Sequence, residues 1–120
     1  MENFTNVKLE IFVPQDHALN LRDELAKIGV GVIGNYDHCV ALASVQGYFR
    51  PMEGANPFEG EAGNISEVAE YKVEVNCKRE LVNEAIKVIK PVHPYEEPLI
   101  NIIPLANHLF GESDLSISSL

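Results

Sequence analysis

Three short stretches collect the residue types that bind or react. The densest is His93-Pro94-Tyr95-Glu96-Glu97-Pro98. An imidazole beside two carboxylates can hold a divalent cation or move protons, and the prolines stiffen the segment. His93, Glu96 and Glu97 are therefore candidate metal ligands, and Tyr95 a candidate ligand contact. The plainer reading weighs more: a proline-stiffened connection carrying solvated carboxylates.

The second stretch runs from Gly29 to Cys39. Gly29, Gly31 and Gly34 have the spacing of a dinucleotide fingerprint, but they follow a helical pattern and precede a strand, the reverse of what that fingerprint requires. A glycine helix stop and a bend explain them better. Asn35 and Tyr36 are candidate ligand contacts, and His38 with Cys39 a candidate metal pair. Neighbouring strand residues point to opposite faces, so one ion reaches both only across a bulge. The third stretch, Tyr48 to Gly60, places Phe49 and Phe58 in a polar loop. The aromatics either pin the loop or line a site. Arg50 suits an anion, while Glu53, Asn56 and Phe58 are further candidate contacts. Arg50 and Glu53 also suit a local ion pair of little worth.

Nucleophilic catalysis has little support. There is no G-x-S-x-G, and the only base beside Cys39 is His38. A catalytic metal centre needs about three protein ligands and an open position, a number reached here only by pooling distant segments.

The elements that must position these stretches read as βαββαβ. Val7 to Val13 alternates as a half-buried strand, and Pro14 stops it. Asp16 is the expected N-cap of a helix carrying Ala18, Leu21, Leu25 and Ile28, with Gly29 and Gly31 as its stop. A strand is expected from His38 to Tyr48, then a loop from Arg50 to Ser66, long enough to be functional or mobile. A third strand spans Val68 to Cys77. A helix follows from Lys78 to Lys90, its broad apolar stripe ended by Pro91. The last strand is Leu99 to Leu105.

The economical arrangement is a ferredoxin-like α+β sandwich: a four-stranded antiparallel sheet, both helices on one face, strands one and three central. Residues 1–105 form this domain and 106–120 a tail. The outer face carries Lys8, Glu10, Glu70, Lys72 and Glu74 beside Phe12, which fits solvent or a polar subunit interface equally. Strands two and three form a hairpin that can bring Cys39 near Cys77, although a cytoplasmic thiol pair is ordinarily reduced.

Composition narrows the partners. The chain has 120 residues and is 46% hydrophobic, enough for one core. Its net charge of -9 repels phosphate backbones and anionic membranes, so neither nucleic acid nor a membrane surface is expected. Met1 to Asn6 has no basic or apolar leader pattern, and no apolar run approaches the ~20 residues of a spanning helix. The expected location is the cytoplasm.

Together the motifs resemble a known family. Ile33-Gly34-Asn35-Tyr36 with Cys39, Phe49-Arg50-Pro51 with Glu53-Gly54-Ala55-Asn56-Pro57-Phe58 and Gly60, and His93-Pro94-Tyr95-Glu96-Glu97-Pro98 resemble the YqfO-type insert domain of the Ngg-one interacting factor three-like family. The resemblance spans about residues 7 to 105. His93-Pro94-Tyr95-Glu96 with Pro98 is also similar to a motif of CutA proteins. The resemblance implies a PII-like or CutA-like fold and self-association, commonly as a homotrimer. It supplies no reaction. In the full-length family the two-metal site belongs to flanking halves, so a cyclohydrolase label does not pass to this stretch.

The expectation is a non-catalytic, self-associating module that binds a small ligand, a divalent metal ion or a protein partner. The alternative is a metal-assisted hydrolase built on His93, Glu96 and Glu97.

Overall fold

The computed structural model describes residues 3–110. The strands are β1 (Asn6–Pro14), β2 (Ala41–Phe49), β3 (Ser66–Lys78) and β4 (Leu99–Pro104), and the helices are α1 (Ala18–Lys27) and α2 (Val82–Val92). The sheet is antiparallel in the order β2-β3-β1-β4, so β1 and β3 are central as expected.

Alternation in β1 decides what the core contains. Val7, Leu9, Ile11 and Val13 share one face and are fully buried. Leu9 lies opposite Val75, and Ile11 lies between Val73 and Ile100. The same face of β3 adds Cys77. Onto this surface α1 sets Ala18, Leu21 and Leu25, and α2 sets Ala85 and Ile89. Each large aliphatic side chain buried there stabilises the fold by about 1.5–3 kcal/mol. Both helices thus cover one face and leave the other open. On the open face Lys8 and Lys72 each approach Glu74, at 3.3 and 3.4 Å, in a half-exposed ion network.

The end of α1 is built as its glycine predicts. Gly29 has φ +87°, its N–H donates to the Ala26 carbonyl, and the Val30 N–H donates to the Leu25 carbonyl. This paired pattern closes a helix through a left-handed residue while Val30 packs into the core beside Leu25. Gly29→Ala is expected to cost about 1 kcal/mol, read by urea unfolding, because a Cβ is strained at that φ although space is available.

Three local expectations are corrected. Asp16 does not cap α1: a 3-10 turn, Gln15–His17, leads into the helix without a side-chain cap. The Asp16 carboxylate instead accepts from His17 Nδ1 at 3.0 Å. β2 starts at Ala41, not His38, because His38 sits at φ +58° and leaves the extended region. Gly31 also intervenes there, donating to the Asn76 carbonyl and accepting from the Cys39 N–H. Gly31 thus bridges the Cys39 and Asn76 backbones, and both thiols are free, Cys39 half-buried and Cys77 buried. Burial pushes the Cys77 thiol up to about 11.

Finally, Pro91 does not end α2. It sits in the last turn, where proline removes only one donor, and the His93 N–H still reaches the Ile89 carbonyl at 2.9 Å.

Past β4 the Leu105 N–H donates to the Asn6 carbonyl, and Asn107–Leu109 forms a short 3-10 turn. The rest of the expected tail, 111–120, lies outside the described residues. No helix among the described residues is long and apolar enough to cross a membrane.

Candidate functional site

One end of the open sheet face carries a cleft. There the last residues of β1 and β2 meet the first of β3 and β4, since Phe12 lies opposite Leu99 and Phe49 opposite Ser66. Antiparallel pairing therefore delivers the 50–65 loop and the 93–98 loop to the same place. They join through a hydrogen bond from the Asn56 N–H to Glu96 Oε1, 3.0 Å long. Phe58 lies 6.3 Å from Tyr95 and 6.0 Å from His17, ring centre to centre, the latter edge-on. Phe49 lies 6.2 Å from Tyr95. These spacings suit aromatic pairs. The cleft has a volume of about 800 Å³.

Tyr95 organises the floor. Its hydroxyl donates to Glu70 Oε2 at 2.7 Å, and its N–H donates to His93 Nδ1 at 3.2 Å. A ring nitrogen that accepts is unprotonated, so His93 carries its proton on Nε2 and gives it to the Phe12 carbonyl at 2.7 Å. Burial pushes the His93 pKa down, which keeps the ring neutral. Burial, and then the Glu70 carboxylate, push the Tyr95 phenol well above its usual range. Glu70 itself is only 6% exposed.

The candidate residues separate into two groups. Arg50, Glu53, Phe58, Tyr95, Glu96 and Glu97 line the cleft. Asn56 supports it through its backbone. His93 lies beneath it, buried, with both ring nitrogens engaged inside the fold, so it offers no lone pair to a metal. Arg50 pairs with neither Glu53 nor another carboxylate among the described residues.

Asn35, Tyr36, His38 and Cys39 lie near the other end of the sheet, where Gly31 meets Asn76. Ile33 and Tyr36 close a tight turn through paired backbone bonds of 2.8 and 2.9 Å, with Gly34 at φ +56°. His38 turns to Asp37 at 2.9 Å. The structure therefore does not bring His38 and Cys39 to His93, Glu96 and Glu97. Among the described residues no three His, Cys, Asp or Glu side chains are placed to share an ion.

Sequence reasoning missed Glu70, Gly47 and Phe12 as parts of the site. Glu70 reads as one more charge on an alternating strand, and its bond to Tyr95 spans 25 residues. Only the facing of Phe12 and Glu70, on one side of paired strands, carries a signal.

The fold is that of a CutA/PII-like domain. It matches the periplasmic divalent cation tolerance protein CutA from Archaeoglobus fulgidus with a TM-score of 0.65, at 20% identity and over 84% of each chain. In sequence the chain is 40% identical over 100 residues to the GTP cyclohydrolase 1 type 2 homolog of Halalkalibacterium halodurans, covering 83% of this chain and 27% of that protein. The Bacillus subtilis homolog is 35% identical over 98 residues, covering 82% and 26%. The Bacillus cereus protein related to NIF3 superposes with a TM-score of 0.75 at 35% identity, covering 87% of this chain and 26% of that one. The chain matches no family model.

It spans about a quarter of the length of these curated relatives. The chain is thus a homologue of one segment of the NIF3-related, YqfO-like proteins, the segment with the CutA-like fold.

Proposed function

We propose that this chain is a non-catalytic, self-associating module of the cytoplasm, a homotrimer that binds a small ligand in the cleft between its 50–65 and 93–98 loops. The observation that carries the reading is the pair of uncovered sheet edges. β4 exposes Leu99, Ile102 and Ile103, and β2 exposes Leu42 and Tyr48. An apolar strand edge without a cover is an unmet demand for a partner strand. The two edges differ, so a β4-to-β2 contact runs head to tail, and such contacts close into rings when the rotation permits. A ring of three agrees with what the resemblance to CutA and PII relatives implies.

The inward turn of His93 removes the histidine on which the hydrolase alternative depends. The net charge of -9 supports a reading without nucleic acid. Native mass spectrometry tests the assembly. The expected mass is three times the 13.3 kDa chain. Ile102→Lys, which places a charge on the β4 edge, should yield a folded monomer. A wild-type monomer at every concentration sinks the reading.

A further inference from the structure

The cleft has an uneven charge and one deep carboxylate. Glu53, Glu59, Glu70, Glu96 and Glu97 line it, against a single Arg50. Four of these carboxylates are on exposed loop residues, whereas Glu70 is 6% exposed on β3. Its Oε2 accepts from Tyr95, and Oε1 has no hydrogen-bond partner among the described residues. Gly47 makes that placement possible: a Cβ there would lie 2.2 Å from Oε1. Oε1 is not sealed within the fold, so it is open to a donor or a cation that enters the cleft.

Around it stand the rings of Phe12, Phe49, Phe58 and Tyr95. Aromatic faces beside a carboxylate favour a cation with an apolar body. A bare metal ion is poorly served, because no three ligating side chains converge among the described residues. An organic anion would face five carboxylates with one guanidinium. The volume of about 800 Å³ falls in the range of small-molecule sites.

We propose that the cleft binds a small organic cation, an amine or guanidine on an aromatic-sized apolar body, with its charged N–H group on Glu70 Oε1 and its body among the Phe12, Phe49 and Tyr95 rings. This rests on the small-ligand reading of the cleft and names its ligand class.

The test is calorimetric titration of the full chain with three probes of one shape: phenethylammonium, phenethyl alcohol and phenylacetate. The ammonium should saturate at one per chain and bind roughly tenfold tighter than the alcohol, since a charged hydrogen bond is the difference. Glu70→Gln should remove that advantage, while Glu84→Gln, the same charge change at an exposed α2 residue outside the cleft, should leave it. Equal binding of ammonium and alcohol overturns the proposal, as does an unchanged advantage in Glu70→Gln. Binding of phenylacetate alone overturns the cation class and leaves the small-ligand cleft standing. No binding by any probe overturns both.

The charge series on the unaltered chain decides the matter should Glu70→Gln fail to fold. Native mass spectrometry at saturation covers one more source of the same chemistry. If the ammonium dissociates the assembly, the site belongs to a neighbouring copy's basic side chain and the free-ligand proposal falls.

Discussion

Replacing His93 with alanine should lower the stability of the fold by about 2–4 kcal/mol and leave the mass of bound species unchanged. The ring is buried and spans two elements. Its Nε2–H satisfies the Phe12 carbonyl on β1, and its Nδ1 accepts the Tyr95 N–H of the loop before β4. Alanine leaves both backbone groups without these partners and opens a cavity beneath the cleft. Chemical unfolding measures the loss, and native mass spectrometry follows any bound ion. A metal-ligand role for His93 gives the opposite pattern: stability near wild type and a lost ion. That pattern would overturn the structural role of the ring.

The same residue sets a pH dependence. Burial lowers the His93 pKa below its ordinary value of 6.5. The unfolded chain then takes up a proton that the folded chain refuses. Stability from this source is complete above about pH 6.5 and declines as the pH falls from there through the folded-state pKa. Glu74 and Asp23 have pKa values lowered by hydrogen bonds from Lys8 and Arg22, and they also lose stability toward acid, beginning at lower pH. The His93→Ala variant lacks only the histidine component. Its stability gap to wild type should therefore narrow as the pH drops below about 6.5. A gap that widens or stays constant counts against a neutral, buried ring.

The fold was legible because its signals are local and periodic. Val7, Leu9, Ile11 and Val13 alternate without interruption, and all four are fully buried. The order of the elements then leaves few topologies. What the pattern hid depends on backbone details. The alternation through Val40 says nothing of the left-handed His38 or of Gly31 pairing with Asn76. Proline at position 91 reads as a stop, yet a last helical turn tolerates it.

In the site, the two loops that meet were both visible as motifs, because turn residues and aromatics mark them in sequence. Their pairing was not, because it follows from the antiparallel register of β2, β3, β1 and β4. His93 looked like a ligand since its type suggests chemistry. Only three dimensions show both nitrogens spent on backbone groups. Glu70 was invisible for the converse reason: an acid on a strand's outer face is ordinarily solvated, and its burial comes from loops distant in sequence.

Gly47→Ala should destabilise the protein by about 1–2 kcal/mol, although propensity alone predicts a gain. Gly47 lies within β2 without a positive φ, where alanine ordinarily adds about 0.5–1 kcal/mol by restricting the unfolded chain. Here the new methyl would lie 2.2 Å from Glu70 Oε1 and 2.7 Å from Cδ. The carboxylate is the end of a flexible side chain, but its freedom is limited by burial and by the Tyr95 hydroxyl. Moving it breaks a charge-assisted hydrogen bond worth more than the propensity gain.

The clash has a specific partner, so a double-mutant cycle isolates it. Glu70→Ala alone leaves the Tyr95 hydroxyl without its acceptor and should cost about 1–3 kcal/mol. In the Glu70→Ala background, Gly47→Ala has nothing to strike and regains its propensity benefit. The double variant should therefore be more stable than the sum of the single changes predicts by about 1.5–3 kcal/mol. Urea unfolding of the four proteins measures the coupling. Additive costs would mean that Gly47 answers to the strand and not to Glu70. The buried carboxylate would then have lost the physical reason for its position above a glycine.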